Sequence, residues 1–249
     1  MEWRVTVIGT GVVIAALGVS SCGRSGAVST FTGPVLPSTT GDSTPLVSTG
    51  PVPPSPPVFN GVAGPIPLRL VESMRRSGTW RVGCPVAISR LRLLGLGYWG
   101  FDGTAHRGQL VVSAAGAPAV VAAFRALWRA RFPIHQMRLV DAFGGSDERS
   151  MQADNTSAYN CRAVPGTGGT WSQHAYGMAV DINPRENPEI AGAVIDPTIA
   201  ARYANRSLHA KGMSHPGDIV VRAFRAVGWS WGGDWHSLKD YHHFSANGL

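Results

Sequence analysis

Short stretches of apolar and alternating residues mark the strands that the sequence predicts. Residues 90–96 and 109–113 are rich in apolar side chains and are bounded by glycine-containing turns, as strands commonly are. Residues 137–143 and 178–182 alternate between apolar and other side chains, which predicts two further strands. In the last of these, the alternation places Asp181 on the face opposite three larger apolar side chains.

Helical spacing begins after Pro118, a residue type that commonly opens helices, and ends at Pro133. Shorter helices are predicted from Asp196 to Tyr203 and from Asp218 to Val227, each beginning at an aspartate that can cap a helix. Helices interspersed with short strands predict an α+β fold, in which flanking helices pack beside a small antiparallel sheet. The apolar positions of the first helix are Val120, Val121, Phe124, Leu127 and Trp128.

The N-terminal residues have the layout of an export signal. Arg4 precedes a mostly apolar, charge-free stretch, residues 5–17, which is too short for a comfortable membrane span. Residues 19–22 follow at once and resemble the lipobox of bacterial lipoproteins, because small residues precede a cysteine. We expect residues 1–21 to be a lipoprotein signal peptide and Cys22 to carry the lipid that anchors the exported protein to the cell membrane, facing the cell wall. The alternative is an ordinary signal peptide cleaved nearby, with the cysteine incidental.

The composition then becomes that of a linker. Between Gly23 and Pro67 the chain holds ten of its eighteen prolines together with many Ser, Thr and Gly residues, so this part cannot bury a core. We expect residues 22–67 to form a disordered, partly polyproline tether and residues 68–249 to form one catalytic domain of ordinary size.

The chain has three cysteines. If Cys22 carries lipid, Cys84 and Cys161 remain, and an even remainder in an exported chain predicts one disulfide. Two buried free thiols are the alternative.

The formal net charge is +7. A basic exported protein is drawn to anionic envelope polymers or to lipid head groups. Nucleic acid is not expected as a partner, because the chain is exported and has no block of Lys and Arg residues. The protein is expected to be a monomer.

Two polar clusters, residues 172–184 and 231–244, are dense in the residue types that bind metals. A hydrolytic zinc site needs about three protein ligands and an open position for water. It also needs a carboxylate outside the ligand set that takes the proton from that water. The two clusters therefore indicate metal-dependent hydrolysis.

Four residues of these clusters make a complete hydrolytic set. A glycine-containing turn would fold His174 back toward Asp181 on the polar face of the predicted strand. His243 is the best candidate for a third ligand, and Asp240, three residues earlier, is placed to act as general base. His242 is the alternative ligand, and on a strand it would share a face with Asp240.

The order and spacing of these motifs resemble the zinc D-alanyl-D-alanine carboxypeptidase family, which includes the VanX and VanY types and the L-alanyl-D-glutamate endolysins. The resemblance covers roughly residues 133–244, and the run 231–235 looks most like the endolysin-type branch. It implies that two histidines and one aspartate bind Zn²⁺, that the second aspartate is the general base, and that the fold is like that of hedgehog and D-Ala-D-Ala metallopeptidases. The family pattern, Ser-x-His, six residues, Asp, then a distant acid-x-x-His, is matched by Ser172, His174, Asp181, Asp240 and His243.

The family also uses an arginine upstream of the first zinc histidine to stabilise the reacting carbonyl or to hold substrate. By resemblance, Arg149 is the nearest match. Glu148 precedes it, where many members have an aromatic residue, and Arg162 is a rival.

Location and resemblance together predict a zinc metallopeptidase that hydrolyses peptidoglycan stem peptides, either as a D-Ala-D-Ala carboxypeptidase or as an L,D-endopeptidase. The alternative from another class is a zinc-containing lipoprotein that binds cell-wall peptides without cutting them. A Gly-x-Ser-x-Gly match at residues 228–232 does not favour a serine hydrolase, because a helical pattern rather than a strand precedes it.

Overall fold

The computed structural model describes residues 57–249. The predicted signal peptide and the lipid site at Cys22 lie outside these residues, as does most of the predicted tether. Within the described part, no helix combines the length and the apolar character needed to cross a bilayer.

The described residues form four α-helices, twelve short strands and several connecting 3-10 turns. In chain order the strands and helices are β1 (Gly61–Pro65), α1 (Leu68–Ser77), β2 (Leu91–Gly100), β3 (Ala105–Ser113), α2 (Ala117–Arg129), β4 (Pro133–Ile134), β5 (Gln136–Met137), α3 (Asp147–Gln152), β6 (Asn155–Thr156), β7 (Ala179–Asp181), β8 (Glu189–Ala191), β9 (Val194–Asp196), α4 (Ile219–Arg225), β10 (Ser230–Trp231), β11 (Lys239–Asp240) and β12 (His243–Ser245).

The largest sheet runs antiparallel through β1, β2 and β3, with β4 added in parallel beside β2. The strands predicted at residues 90–96 and 109–113 lie in β2 and β3. Two further antiparallel sheets have the orders β10-β12-β7 and β11-β8-β9, and β5 pairs with β6 in parallel. The predicted α+β fold, with small antiparallel sheets and flanking helices, is therefore confirmed.

The core connects the largest sheet to the smaller sheet that contains β12. Phe124 of α2 packs edge-to-face against Phe224 of α4, with ring centroids 6.4 Å apart, and Phe224 stacks on Phe244 of β12 at 4.4 Å. All three rings are buried. Since burying a phenylalanine side chain stabilises a fold by roughly 1.5–3 kcal/mol, these contacts hold β12 firmly against the helices.

The strand predicted over residues 137–143 is wrong. Only Met137 lies in a strand, while Val140–Phe143 forms a 3-10 turn. Gly144 and Gly145 follow with φ of 64° and 75°, a left-handed conformation that ends the turn and that glycine adopts without steric cost. Alternation over so few residues did not reveal the turn that these glycines permit.

The folded part begins before the predicted boundary at Leu68. Strand β1 pairs with β2 along its whole length, from Gly61 opposite Leu96 to Pro65 opposite Arg92. Its sequence contains glycine and proline and lacks apolar alternation, so main-chain pairing with β2 holds it rather than a buried face of its own.

A disulfide joins Cys84 and Cys161, whose Cα atoms are 5.9 Å apart. Cys161 is buried in a second hydrophobic cluster with Met74, Leu91 and Tyr159. The bridge thereby ties the loop after α1 to the segment that leads into the first polar cluster.

Candidate metal centre

His174 lies in a short 3-10 turn, Gln173–Tyr176. The turn begins at Ser172, whose Oγ accepts a hydrogen bond from the main-chain N–H of His174 at 3.3 Å. It ends at Gly177, which has a φ of 65°. A Cβ at Gly177 would lie 2.4 Å from the main-chain nitrogen of Ser113, so a glycine is also needed for packing against β3. The turn carries His174 back toward β7, as the sequence predicted.

Asp181 and His243 are direct partners in the antiparallel pair of β7 and β12. Residues directly opposite one another in such a pair bring their side chains close together on one face. The next pair along, Val180 and Phe244, is fully buried in the hydrophobic core. The strands thus direct apolar side chains into the core and the two candidate ligands toward His174.

The donor atoms of these three residues converge. Nε2 of His174 lies 3.0 Å from Oδ2 of Asp181 and 3.3 Å from Nδ1 of His243, which in turn lies 3.1 Å from Oδ1 of Asp181. The exposed fractions of His174, Asp181 and His243 are 2%, 1% and 6%. One donor atom of each lies within 4.8 Å of the others, so the group could hold a metal ion.

The hydrogen bonds of the two histidines to main-chain oxygens leave the converging nitrogens as the atoms that can bind a metal when the rings are neutral. Nδ1 of His174 donates to the main-chain carbonyl oxygen of Ala158, and Nε2 of His243 donates to that of Leu249 at 3.0 Å. A histidine that donates from one ring nitrogen presents a lone pair at the other when neutral, which is the form that binds metals. The surrounding main chain therefore orients both imidazoles as ligands.

Asp181 is held in its ionised form. Burial raises its pKa, but the adjacent His174 and His242 and the hydrogen bonds from His174 and His243 outweigh burial and hold the pKa well below the usual value. An ionised carboxylate is the form that a metal ligand requires.

The three donors fit a zinc ion. Ligand atoms around a tetrahedral zinc are separated from one another by about 3.3–3.5 Å. The separations of 3.0 and 3.1 Å involve different oxygens of Asp181; with one donor atom from each residue, all three lie within 4.8 Å of one another. Two imidazole nitrogens and one carboxylate are also a donor set that suits this metal.

Asp240 lies beside this group, in β11 opposite Glu189. Gly232 permits its close approach, since a Cβ there would lie 2.5 Å from the main-chain oxygen of Asp240. The indole of Trp231 donates to the carbonyl oxygen of Tyr241 at 2.9 Å and fixes the adjacent peptide. Asp240 is 6% exposed, and its Oδ1 accepts no aligned hydrogen bond from the described residues. Nε2 of His242 is the nitrogen that faces this oxygen, at 3.0 Å.

His242 lies outside the group of candidate ligands and faces Asp240 instead. Its Nδ1 donates to the carbonyl oxygen of Asn187 at 2.8 Å, and its Nε2 lies 3.0 Å from Oδ1 of Asp240 and 4.0 Å from Oδ1 of Asp181. Burial lowers the pKa of His242, but these carboxylates and the Asn187 carbonyl outweigh burial and raise the pKa to about 10.

The two candidate arginines differ in their surroundings. Arg149 lies exposed on α3, and its guanidinium donates twice to the carbonyl oxygen of Phe143, at 2.9 and 2.7 Å. Arg162 is less exposed, and its Nη2 pairs with Oδ2 of Asp147 at 2.7 Å. Its main-chain oxygen accepts from Ser172 at 3.1 Å, next to the turn that carries His174. The main chain of Arg162 is thus bonded to the residue that begins the His174 turn, whereas the side-chain contacts of Arg149 remain local.

Sequence reasoning missed three residues that support the site: Ala158, Leu249 and Asn187. The first two act through carbonyl oxygens, which every residue has and which leave no signal in a sequence. Asn187 is fully buried and donates from its side chain to the carbonyl oxygen of Ile182 at 3.1 Å and to that of Gly212 at 2.9 Å. The polar run 183–187, directly after β7, was the available signal for it.

The fold and site define the class: an α+β protein with a buried His-Asp-His group suited to a divalent metal, beside a buried carboxylate. The family model described as D-alanyl-D-alanine carboxypeptidase matches residues 165–246, a segment that contains all four of these residues. The resemblance predicted from the motifs is thereby confirmed, and the match supports a peptidase that acts on cell-wall peptides. No curated protein and no solved structure matched the chain.

Proposed function

We propose that the protein is a zinc-dependent peptidase that hydrolyses the stem peptides of peptidoglycan, of the D-Ala-D-Ala carboxypeptidase or the L,D-endopeptidase type. The observation that carries the proposal is the convergence of His174, Asp181 and His243 beside the buried carboxylate of Asp240. Three ligands and a nearby base are what metal-dependent peptide hydrolysis requires.

Zn²⁺ held by His174, Asp181 and His243 would supply a Lewis acid and lower the pKa of water at the site. Asp240 takes the proton from the attacking water and gives it to the amine that leaves when the C–N bond breaks. One water molecule is consumed, and the products are a carboxylic acid and an amine. The burial of Asp240 beside the three candidate ligands supports this role, because a carboxylate outside the ligand set can act as the base.

Arg162 is our candidate for the arginine that stabilises the reacting carbonyl or a substrate carboxylate, in preference to Arg149. Its main-chain oxygen accepts from Ser172, which begins the turn that carries His174, and its guanidinium would stabilise a substrate oxygen beside that turn. The guanidinium of Arg149 already donates to Phe143. Our candidate therefore differs from Arg149, the residue that the resemblance favoured.

Export and lipid attachment at Cys22 complete the proposal, since they would place a monomeric enzyme on the membrane surface that faces its polymeric substrate. The net charge of +7 favours attraction to an anionic envelope.

The test is digestion of purified muropeptides by the zinc-loaded protein, with products identified by mass spectrometry. Loss of a terminal D-Ala would assign a carboxypeptidase, and cleavage at one internal bond an endopeptidase. Asp240→Ala should lower kcat by about 10²–10⁴-fold, the usual contribution of a general base. Asp102→Ala is the matched control, because this carboxylate lies largely exposed in a turn.

Chelation should abolish cleavage, and added Zn²⁺ should restore it. If the folded, zinc-loaded protein cleaves neither crosslinked nor uncrosslinked muropeptides but binds them, the protein is instead a zinc-containing binding lipoprotein.

A further inference from the structure

His242 bridges two parts of the site that are distant in sequence. Its ring is 4% exposed, with Nδ1 bound to the carbonyl oxygen of Asn187 and Nε2 directed at Asp240. The amide of Asn187 is itself fixed, because its Nδ2 donates to three carbonyl oxygens and its Oδ1 accepts from the main-chain N–H of Ser214 at 2.6 Å. One end of the imidazole is thus anchored to a rigid loop and the other end meets the carboxylate.

The position of Nε2 also bears on the repulsion between two buried carboxylates. Asp181 and Asp240 are both buried, and two carboxylates close together repel one another when both are ionised. Nε2 of His242 lies 3.0 Å from one and 4.0 Å from the other. Glu189, opposite Asp240, and Asp196, opposite Glu189, add further negative charge near the same imidazole. The imidazole of His242 thus lies between the two carboxylates.

We propose that His242 is a positioning residue, whose Nε2 holds the carboxylate of Asp240 at the place from which it transfers the proton, while the bond from Nδ1 to Asn187 orients the ring. This inference rests on the proposed function, since it takes Asp240 as the base. His242 touches neither the reacting bond nor the metal in this role, so its effect passes through Asp240.

Two amide substitutions separate the two contacts of the imidazole. In His242→Gln, the side-chain amide nitrogen can occupy the position of Nε2 and still donate to Asp240. In His242→Asn, the amide nitrogen can occupy the position of Nδ1, so the bond to Asn187 is retained and the contact with Asp240 is lost. Both variants keep a buried hydrogen-bond donor, which makes collapse of the fold less of a concern than with alanine.

The kinetic experiment compares the full-length native protein and both variants with muropeptide substrates. His242→Asn should lower kcat about 10–100-fold, because small displacements of a reacting group cost about that much, while KM and zinc affinity change little. His242→Gln should retain kcat within a few fold of the native value. Equal kcat values for the native protein and His242→Asn would overturn the proposal, as would loss of zinc from both variants.

Crystal structures of the zinc-loaded native protein and variants give a test that does not need turnover. The carboxylate of Asp240 should keep its place in His242→Gln and move in His242→Asn. If it stays in place in His242→Asn, the inference is wrong, whether or not the protein cleaves muropeptides. If it moves and the native protein cleaves nothing, the proposed function fails while the positioning of Asp240 by His242 stands.

Discussion

Leu249 and His243 are joined by a hydrogen bond in which Nε2 of the imidazole donates to the main-chain carbonyl oxygen at 3.0 Å. The indole of Trp235 donates to the carbonyl oxygen of the preceding residue, Gly248, at 2.8 Å and so holds the segment in place. Residues 247–249 therefore orient a candidate ligand whose other nitrogen, Nδ1, faces His174 and Asp181.

Removal of residues 247–249 should weaken zinc binding by about 10–100-fold, the usual effect of deleting a hydrogen-bond partner of a metal-bound histidine. Competition with a chromophoric chelator measures the affinity. Trp235→Phe, which keeps a ring but loses the indole donor, should give a smaller loss in the same direction. An unchanged affinity in the shortened, folded protein would show that Leu249 does not orient the ligand.

Zinc should stabilise the fold, because the three donors come together only in the native state. At a free zinc concentration about 1,000 times Kd, the expected gain is about 4 kcal/mol, or a rise of about 10 °C in Tm for a domain of this size. Calorimetry with and without a chelator measures it. Asp181→Asn should abolish the rise, whereas Asp102→Asn, which alters an exposed carboxylate, should leave it intact. A Tm that does not depend on zinc would argue against the metal centre.

Loss of the disulfide should destabilise the domain. Cys84 and Cys161 are separated by 77 residues, and closing a loop of that length contributes about 4 kcal/mol in the chain-entropy model. We expect the double variant Cys84→Ser, Cys161→Ser to lose about 2–4 kcal/mol of unfolding free energy in denaturant titrations. The native protein titrated in the presence of a reductant should show a similar loss. Identical midpoints for oxidised and reduced protein would contradict the expectation.

The unfolding free energy should fall as pH rises from 4.5 to about 7, because of Glu186. Burial and the neighbouring Asp154 raise the pKa of Glu186 to about 7, from 4.5 in the unfolded chain. Below pH 4.5 both states hold the proton. Between the two values the unfolded chain releases the proton while the native state retains it, so the native state loses stability. The pKa of Asp154 is also raised by burial, which acts in the same direction.

Denaturant titrations between pH 4.5 and 8 measure this effect, which we expect to be on the order of 2 kcal/mol. Glu186→Gln should flatten the profile, because the amide has no proton to lose. Glu148→Gln, at an exposed position, should follow the native profile. A native unfolding free energy that is constant or rises over this interval would contradict the assignment.

The residues at the centre of the site could be predicted because ligands and bases must be particular residue types at particular spacings. His174, Asp181, Asp240 and His243 meet that requirement, and the alternation of residues 178–182 correctly placed Asp181 opposite the core. The supporting groups could not be predicted in the same way. Ala158 and Leu249 contribute carbonyl oxygens, and only the folded main chain decides which carbonyl reaches an imidazole.

The errors in the predicted fold have a related origin. Strand β1 depends on its partner β2, so its own glycine- and proline-containing sequence gives little indication of a strand. The turn at Val140–Phe143 depends on two left-handed glycines beyond it, which outweighed a short alternating pattern.

The metal centre depends on the register in which β7 pairs with β12. Asp181 stands directly opposite His243, and a slip of one residue would turn each side chain of the moving strand to the other face. His242 would then stand opposite Asp181, and Phe244 would leave the core. Only the correct register brings the three donor atoms together. An ion bound there would therefore stabilise the correct pairing of the two strands over a shifted one.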